Sequence, residues 1–131
     1  MIGLDTDVVV RYLTQDDPVQ SRRATELLEH HLSTGNPGFI STVVLAETAW
    51  VLRRAYQFTA TETAAAIERI LAADVLLIER EQRVYSAMVA LRDGQGSFAD
   101  ALIGAIGTRE GCARTATFDR KALRLPGFAP A

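Results

Sequence analysis

Short apolar runs alternate with longer stretches in which apolar residues return every three or four positions. The first run ends at Asp5-Thr6-Asp7 and predicts a strand from roughly Ile2 to Asp5, followed by a short helix from Val8 through Tyr12. Asp17-Pro18 then supplies an N-cap and a first-turn proline, since proline lacks an N–H that the first helical turn leaves unpaired in any case. The helix it opens carries Ala24, Leu27, Leu28 and Leu32 at helical spacing until Gly35-Asn36-Pro37-Gly38 breaks the period. Phe39-Ile40-Ser41 reads as a second strand, and TVVLAETAWVLRRAY, residues 42–56, as a mostly buried helix. Thr59 and Glu62 have the spacing of a capping box, which starts the second arm of a helical hairpin.

The run Val75-Leu76-Leu77-Ile78 is short, branched and wholly apolar, as an interior strand of a parallel sheet would be. A helix from about Glu81 to Arg92 follows it. After Gly94-Gln95-Gly96, the stretch SFADALIGAIGTREG predicts a helix started by Ser97 and stopped by Gly111, and Ala113 to Thr117 a last strand. Strands separated by helical stretches imply right-handed crossovers. The expected architecture is α/β: one domain over residues 1–131 with a central parallel sheet of about four to five strands and helices on both faces.

Composition narrows the class. A chain of 131 residues buries a core without disulfides or a structural metal, and the lone Cys112 has no internal partner; a buried, inert thiol is its default reading. No basic segment followed by an apolar stretch opens the chain, and no apolar run approaches the roughly 20 residues that span a bilayer, so the expectation is a cytoplasmic protein without a membrane. The net charge of -2 excludes binding of nucleic acid through a global excess of positive charge. Were Asp5, Asp7, Glu47, Asp100 and Asp119 neutralised by metal, however, 14 basic residues would face 11 acidic ones. Thirteen of the basic residues are arginines, whose planar guanidinium suits phosphate oxygens, although codon usage explains the bias equally well.

These acids are the candidate chemistry. Ligands of an open parallel sheet bind outside the carboxyl ends of its strands. Asp5 and Asp119 follow strands directly, while Glu47 and Asp100 fall one to two turns into helices. Glu47 has Val43, Val44, Trp50 and Val51 as helical neighbours, and a carboxylate on such a stripe needs a cation or an arginine such as Arg53, Arg54 or Arg69. Each acid also has a plain structural role open to it. Asp5 can cap the first helix, Asp7 can pair with Arg11, Ser97 with Asp100 has capping-box spacing, and Asp119 can cap the final helix. Several carboxylates crowded at one rim repel each other unless a hard cation such as Mg²⁺ or Mn²⁺ neutralises them, and such a site suits phosphodiester hydrolysis by an activated water. His30 and His31 sit in the last turn of a helix and answer its dipole, and Trp50 is most simply core.

The segments GLDTDVVVRYL, ISTVVLAETAWVL, FADALIGAIG and TATFDRKALRLPG, in this order and from end to end, resemble the PIN-domain nucleases, and within them the VapC-type ribonuclease toxins. The resemblance implies a metal-binding acidic set of Asp5, Glu47, Asp100 and Asp119, supported by Thr6 and Thr117. Asp7 stands where the family commonly has Asn, and is a further possible ligand. Also implied are Mg²⁺- or Mn²⁺-dependent endonucleolytic cleavage of RNA, a cognate antitoxin as partner, and a homodimer. Arg11, Arg53, Arg80 and Arg120 are candidate phosphate contacts.

Other readings of the same acids remain. One is a PIN-type RNA-processing nuclease outside a toxin–antitoxin pair. A haloacid-dehalogenase-like phosphatase would use Asp5 as nucleophile and Asp7 as general acid, but it needs a later acidic pair and a phosphate-holding lysine, and the chain offers only Lys121. A receiver-type signalling domain needs a phosphoacceptor after a central strand, where Glu79-Arg80 stands instead.

Overall fold

The computed structural model describes residues 1–131. In chain order the elements are β1 (Ile2–Gly3), α1 (Thr6–Thr14), α2 (Pro18–Glu26), β2 (Gly38–Ile40), α3 (Thr42–Arg54), α4 (Ala60–Leu71), β3 (Leu76–Ile78), α5 (Glu81–Arg92), α6 (Phe98–Arg109), β4 (Thr115–Thr117) and β5 (Phe128–Pro130). A π-helical turn, Leu27–His31, prolongs α2, and a 3₁₀ turn, Ala122–Arg124, separates β4 from β5. The helices begin where side chains relieve the unpaired N–H groups of a first turn. Asp17 accepts from the amides of Val19 and Gln20, Ser41 from that of Val44, and Ser97 from that of Asp100. Thr59 and Glu62 form the full reciprocal box.

All strand pairings are parallel, as expected for an α/β chain, but the five strands divide between two sheets. One has the order β1-β2-β3 and the other pairs β4 with β5. Two expectations are corrected here. The apolar strand Leu76–Ile78 lies at an edge, with β2 in the middle, and Leu77 is half exposed. Apolar sequence marks burial of a strand's faces and carries no direct information on which neighbours pair with it. The second correction is β5, which the sequence pattern did not reveal because Pro126, Gly127 and Pro130 punctuate so short a segment.

One continuous core binds the layers. Leu4, Ile40 and Ile78 of the first sheet's strands and their ends pack with Leu45 of α3, Ile67 of α4, Val84 and Met88 of α5 and Leu102 of α6. At Gly104 a Cβ would come within 2.5 Å of the Phe128 ring, so the glycine sets how closely α6 approaches β5. Parallel pairing puts the carboxyl ends of β1, β2 and β3 along one edge, so Asp5, Ser41 and Glu79 lie beside the helices that leave it.

Candidate active site

Asp5 follows β1 and caps α1: its Oδ1 accepts from the Thr6 amide at 2.7 Å. The Thr6 hydroxyl donates to Glu47 Oε1, also at 2.7 Å, and so ties the first residue of α1 to the middle of α3 across 41 positions. The sequence brought Asp5, Thr6 and Glu47 together by resemblance; in the structure two hydrogen bonds, both made by Thr6, join them. Glu47 itself is exposed, which corrects the expectation of a carboxylate on a buried stripe. Val43 and Trp50, on the same side of α3, are 68% and 62% exposed, so Trp50 is not core. The core-facing residues of α3 are Leu45, Thr48, Ala49 and Leu52.

Asp100 and Asp119 line one groove of about 690 Å³, between the second half of α3, the α5–α6 connection and the turn after β4. Asp100 has the spacing of a capping box but completes only half of one. Its amide donates to Ser97 Oγ at 3.1 Å, while its carboxylate makes no hydrogen bond, in contrast to Glu62, whose Oε1 accepts from the Thr59 amide at 2.8 Å. Asp119 is held differently. Its amide donates to Thr117 Oγ1 at 3.0 Å, and its Oδ1 accepts from the Lys121 amide at 2.9 Å, so Thr117 and one carboxylate oxygen order the turn.

Asp7 faces elsewhere, into a separate groove with Arg11 and Arg23. No group of three or more His, Cys, Asp or Glu side chains is gathered tightly enough to hold a metal ion. The donor chemistry nevertheless fits a hard cation. Glu47, Asp5 and Asp119 each use one oxygen internally and keep the other without a hydrogen-bond partner, and Asp100 keeps both.

Cations converge on the groove as well. Arg53, Arg54, Lys121 and Arg124 line it, and none is held in an ion pair, whereas Arg11, Arg80 and Arg92 pair with Asp16, Glu110 and Glu68. Arg11, a candidate phosphate contact, is therefore committed: it also donates to Gln20 Oε1 and to Tyr56 Oη, each at 2.8 Å. The expected pair of Arg11 with Asp7 is replaced by Asp16, whose carboxyl is held below its ordinary pKa by the hydroxyls of Tyr56 and Thr14. Arg120 is exposed. Cys112 is exposed too, against the expectation of a buried thiol.

The sequence gives Trp50, Lys121, Arg124 and Glu79 no role at the site: Trp50 reads as core, Lys121 only as the chain's single lysine and Glu79 only as the residue after a strand. A signal for Trp50 was present: Glu47, Trp50 and Arg54 fall at i, i+3 and i+7, and a face carrying two charges is a solvent face. Glu79 follows β3 and accepts from both the amide and the hydroxyl of Thr42, at 2.8 and 2.9 Å. These bonds, the amide's above all, hold its carboxyl below the ordinary glutamate range. Its work is to cap α3 from another strand.

Parallel strands joined by helices, with acids after β1 and β4 and a groove lined by both signs of charge, define an α/β fold that offers its ligand site outside the strands' carboxyl ends. The chain belongs to the PIN-domain family, whose profile matches residues 2–127. PIN domains are a metal-dependent nuclease fold acting on nucleic acid. No curated protein matches the chain. No helix is long and apolar enough to cross a membrane.

Proposed function

We propose that the protein is a divalent-metal-dependent endoribonuclease, the toxin of a cytoplasmic toxin–antitoxin pair. The observation that carries the nuclease reading is the free carboxylate of Asp100, which shares a groove with Asp119 and four cations held in no ion pair, within a PIN domain. Asp5, Glu47, Asp100 and Asp119 would hold Mg²⁺ or Mn²⁺. When bound, the ion polarises the scissile phosphate and lowers the pKa of the attacking water. Thr6 orients Glu47 through its hydroxyl, and Thr117 orders the turn that presents Asp119. Asp7, a further possible ligand by resemblance, lines its own groove with Arg11 and Arg23. Arg53, Arg54, Lys121 and Arg124 hold phosphates on either side of the cleaved bond.

A cognate antitoxin and a second copy of the chain are the protein partners of this reading, with exposed Val19, Leu77, Ile103 and Phe118 as apolar surface for them. Incubation of the purified protein with RNA and Mn²⁺ or Mg²⁺ tests the chemistry. Internal cleavage that stops on chelation and in Asp119→Asn is expected; rapid hydrolysis in excess chelator overturns the reading. A small adjacent gene encoding a DNA-binding protein that silences the cleavage would separate a toxin from an RNA-processing nuclease.

A further inference from the structure

We propose that the cavity between α1, the π-helical turn after α2 and the carboxyl end of α4 is a binding site for a free α-amino acid with an apolar side chain. The cavity has a volume of about 180 Å³ and shares no lining residue with the groove of Asp100 and Asp119. Its lining is aliphatic or aromatic except at Glu29 and Arg69. Val9, Leu28, Ile40 and Ile70 are buried and close its inner end, whereas Glu29 and Arg69 are exposed at its mouth. An apolar body is thus received beneath two opposite charges.

Those charges are uncommitted. Neither Glu29 nor Arg69 is in an ion pair, with each other or with a third residue, although both line one small cavity. Opposite charges that share a mouth without meeting leave room for a group that meets both. An α-amino acid is the simplest such group: its carboxylate matches the planar fork of Arg69, and its ammonium matches the carboxylate of Glu29. Few convergent polar groups around an apolar hollow are the general form of a small-molecule site. Size then sets the side chain. A dry cavity of roughly 150 Å³ lined by aliphatic and aromatic residues holds benzene, so about 180 Å³ accepts the isobutyl group of leucine or the benzyl group of phenylalanine. The backbone marks the same place, because Leu28 and Glu29 belong to the π-helical turn Leu27–His31, and single π turns gather at functional sites. The alternative occupant is an apolar side chain within another polypeptide. Its flanking amides carry no charge, and so leave both charges of the mouth unmatched.

Titration calorimetry of the full chain with L-phenylalanine and with L-leucine tests the site, and thermal melts give a second reading. Saturable binding is expected, with a melting temperature that rises with ligand concentration. Hydrocinnamate lacks the ammonium, phenethylamine lacks the carboxylate and glycine lacks the side chain, and each should bind roughly 10-fold or more weakly than phenylalanine. Glu29→Gln and Arg69→Gln should weaken phenylalanine binding by a similar factor. Both residues are exposed, so the variants keep the fold, and their melts without ligand check this. Absence of saturable binding by either amino acid, or equal binding of phenylalanine by the parent and both variants, overturns the inference. N-acetyl-L-phenylalaninamide stands for the same side chain inside a polypeptide. If it binds as tightly as the free amino acid, the inference also fails and the cavity belongs to an apolar segment of a partner protein. None of these readings depends on cleavage of RNA, so the site stands or falls separately from the nuclease.

Discussion

Replacing Asp100 by asparagine distinguishes a ligand from a cap, because the two roles load opposite sides of the same carboxylate. The substitution keeps the side chain's shape and the backbone bond from the Asp100 amide to Ser97 Oγ. Since the carboxylate accepts no hydrogen bond, the structural loss is confined to its charge at the amino end of α6. That charge is worth about 0.3–1 kcal/mol at a helix terminus, and partial exposure places it at the low end. Relief of repulsion is equally small, for no three acids crowd together. Unfolding entropy for 131 residues is about 0.28 kcal/mol/K, so the metal-free melting temperature should fall by ~1 °C. Glu62→Ala provides the comparison. It removes a true reciprocal bond at 2.8 Å and should cost about 1 kcal/mol, or ~4 °C. In Mn²⁺ the order reverses. Each tenfold loss of affinity removes about 1.4 kcal/mol of stabilisation at saturating ion, so Asp100→Asn should forfeit ~5 °C of the shift that Mn²⁺ gives the parent. Cleavage should disappear with it, while Glu62→Ala keeps both. Thermal melts with and without Mn²⁺, and one cleavage assay, decide the matter. An Asp100→Asn protein that melts ~4 °C lower without metal yet keeps its Mn²⁺ response and its activity would return Asp100 to structure.

Glu79→Ala should cost about 1–2 kcal/mol at neutral pH, because α3 loses the acceptor of the Thr42 amide and hydroxyl. The folded pKa is depressed, so this stability is full above the ordinary glutamate value and is lost as pH falls through the depressed one. The melting difference between parent and variant should therefore narrow in acid, and a gap constant from neutral pH to below the glutamate range contradicts the assignment. Thr48 is fully buried and its hydroxyl has no partner, so Thr48→Val should raise stability by about 1 kcal/mol, read as ~4 °C in a thermal melt; a loss would show that the hydroxyl is satisfied in solution.

Local chemistry was legible along the chain. Asp17-Pro18, Thr59 with Glu62, Ser97 and Gly111 mark element ends because a cap acts within four residues of the group it satisfies, and the helices begin and end close to those positions. The capping box at Thr59 and Glu62 likewise placed the start of α4, whose buried side is Thr63, Ala64, Ala66, Ile67 and Ile70. The four acids and their order were legible as well. What they touch was not, since Thr6 reaches Glu47 across 41 positions and Glu79 reaches Thr42 across 37, and no local pattern encodes such a distance. Asp100 makes the point most sharply: its spacing from Ser97 matches that of Glu62 from Thr59, yet only the glutamate closes its box. Aspartate is one methylene shorter, and tertiary packing turns the surrounding turn toward a shared groove. Trp50 is apolar by composition and exposed by position: its charged neighbours at helical spacing hint at a solvent face, but the packing of α3 against α1, α4 and α6 decides which side of the helix is covered. Burial is a property of the assembled layers, whereas capping is a property of a few adjacent residues.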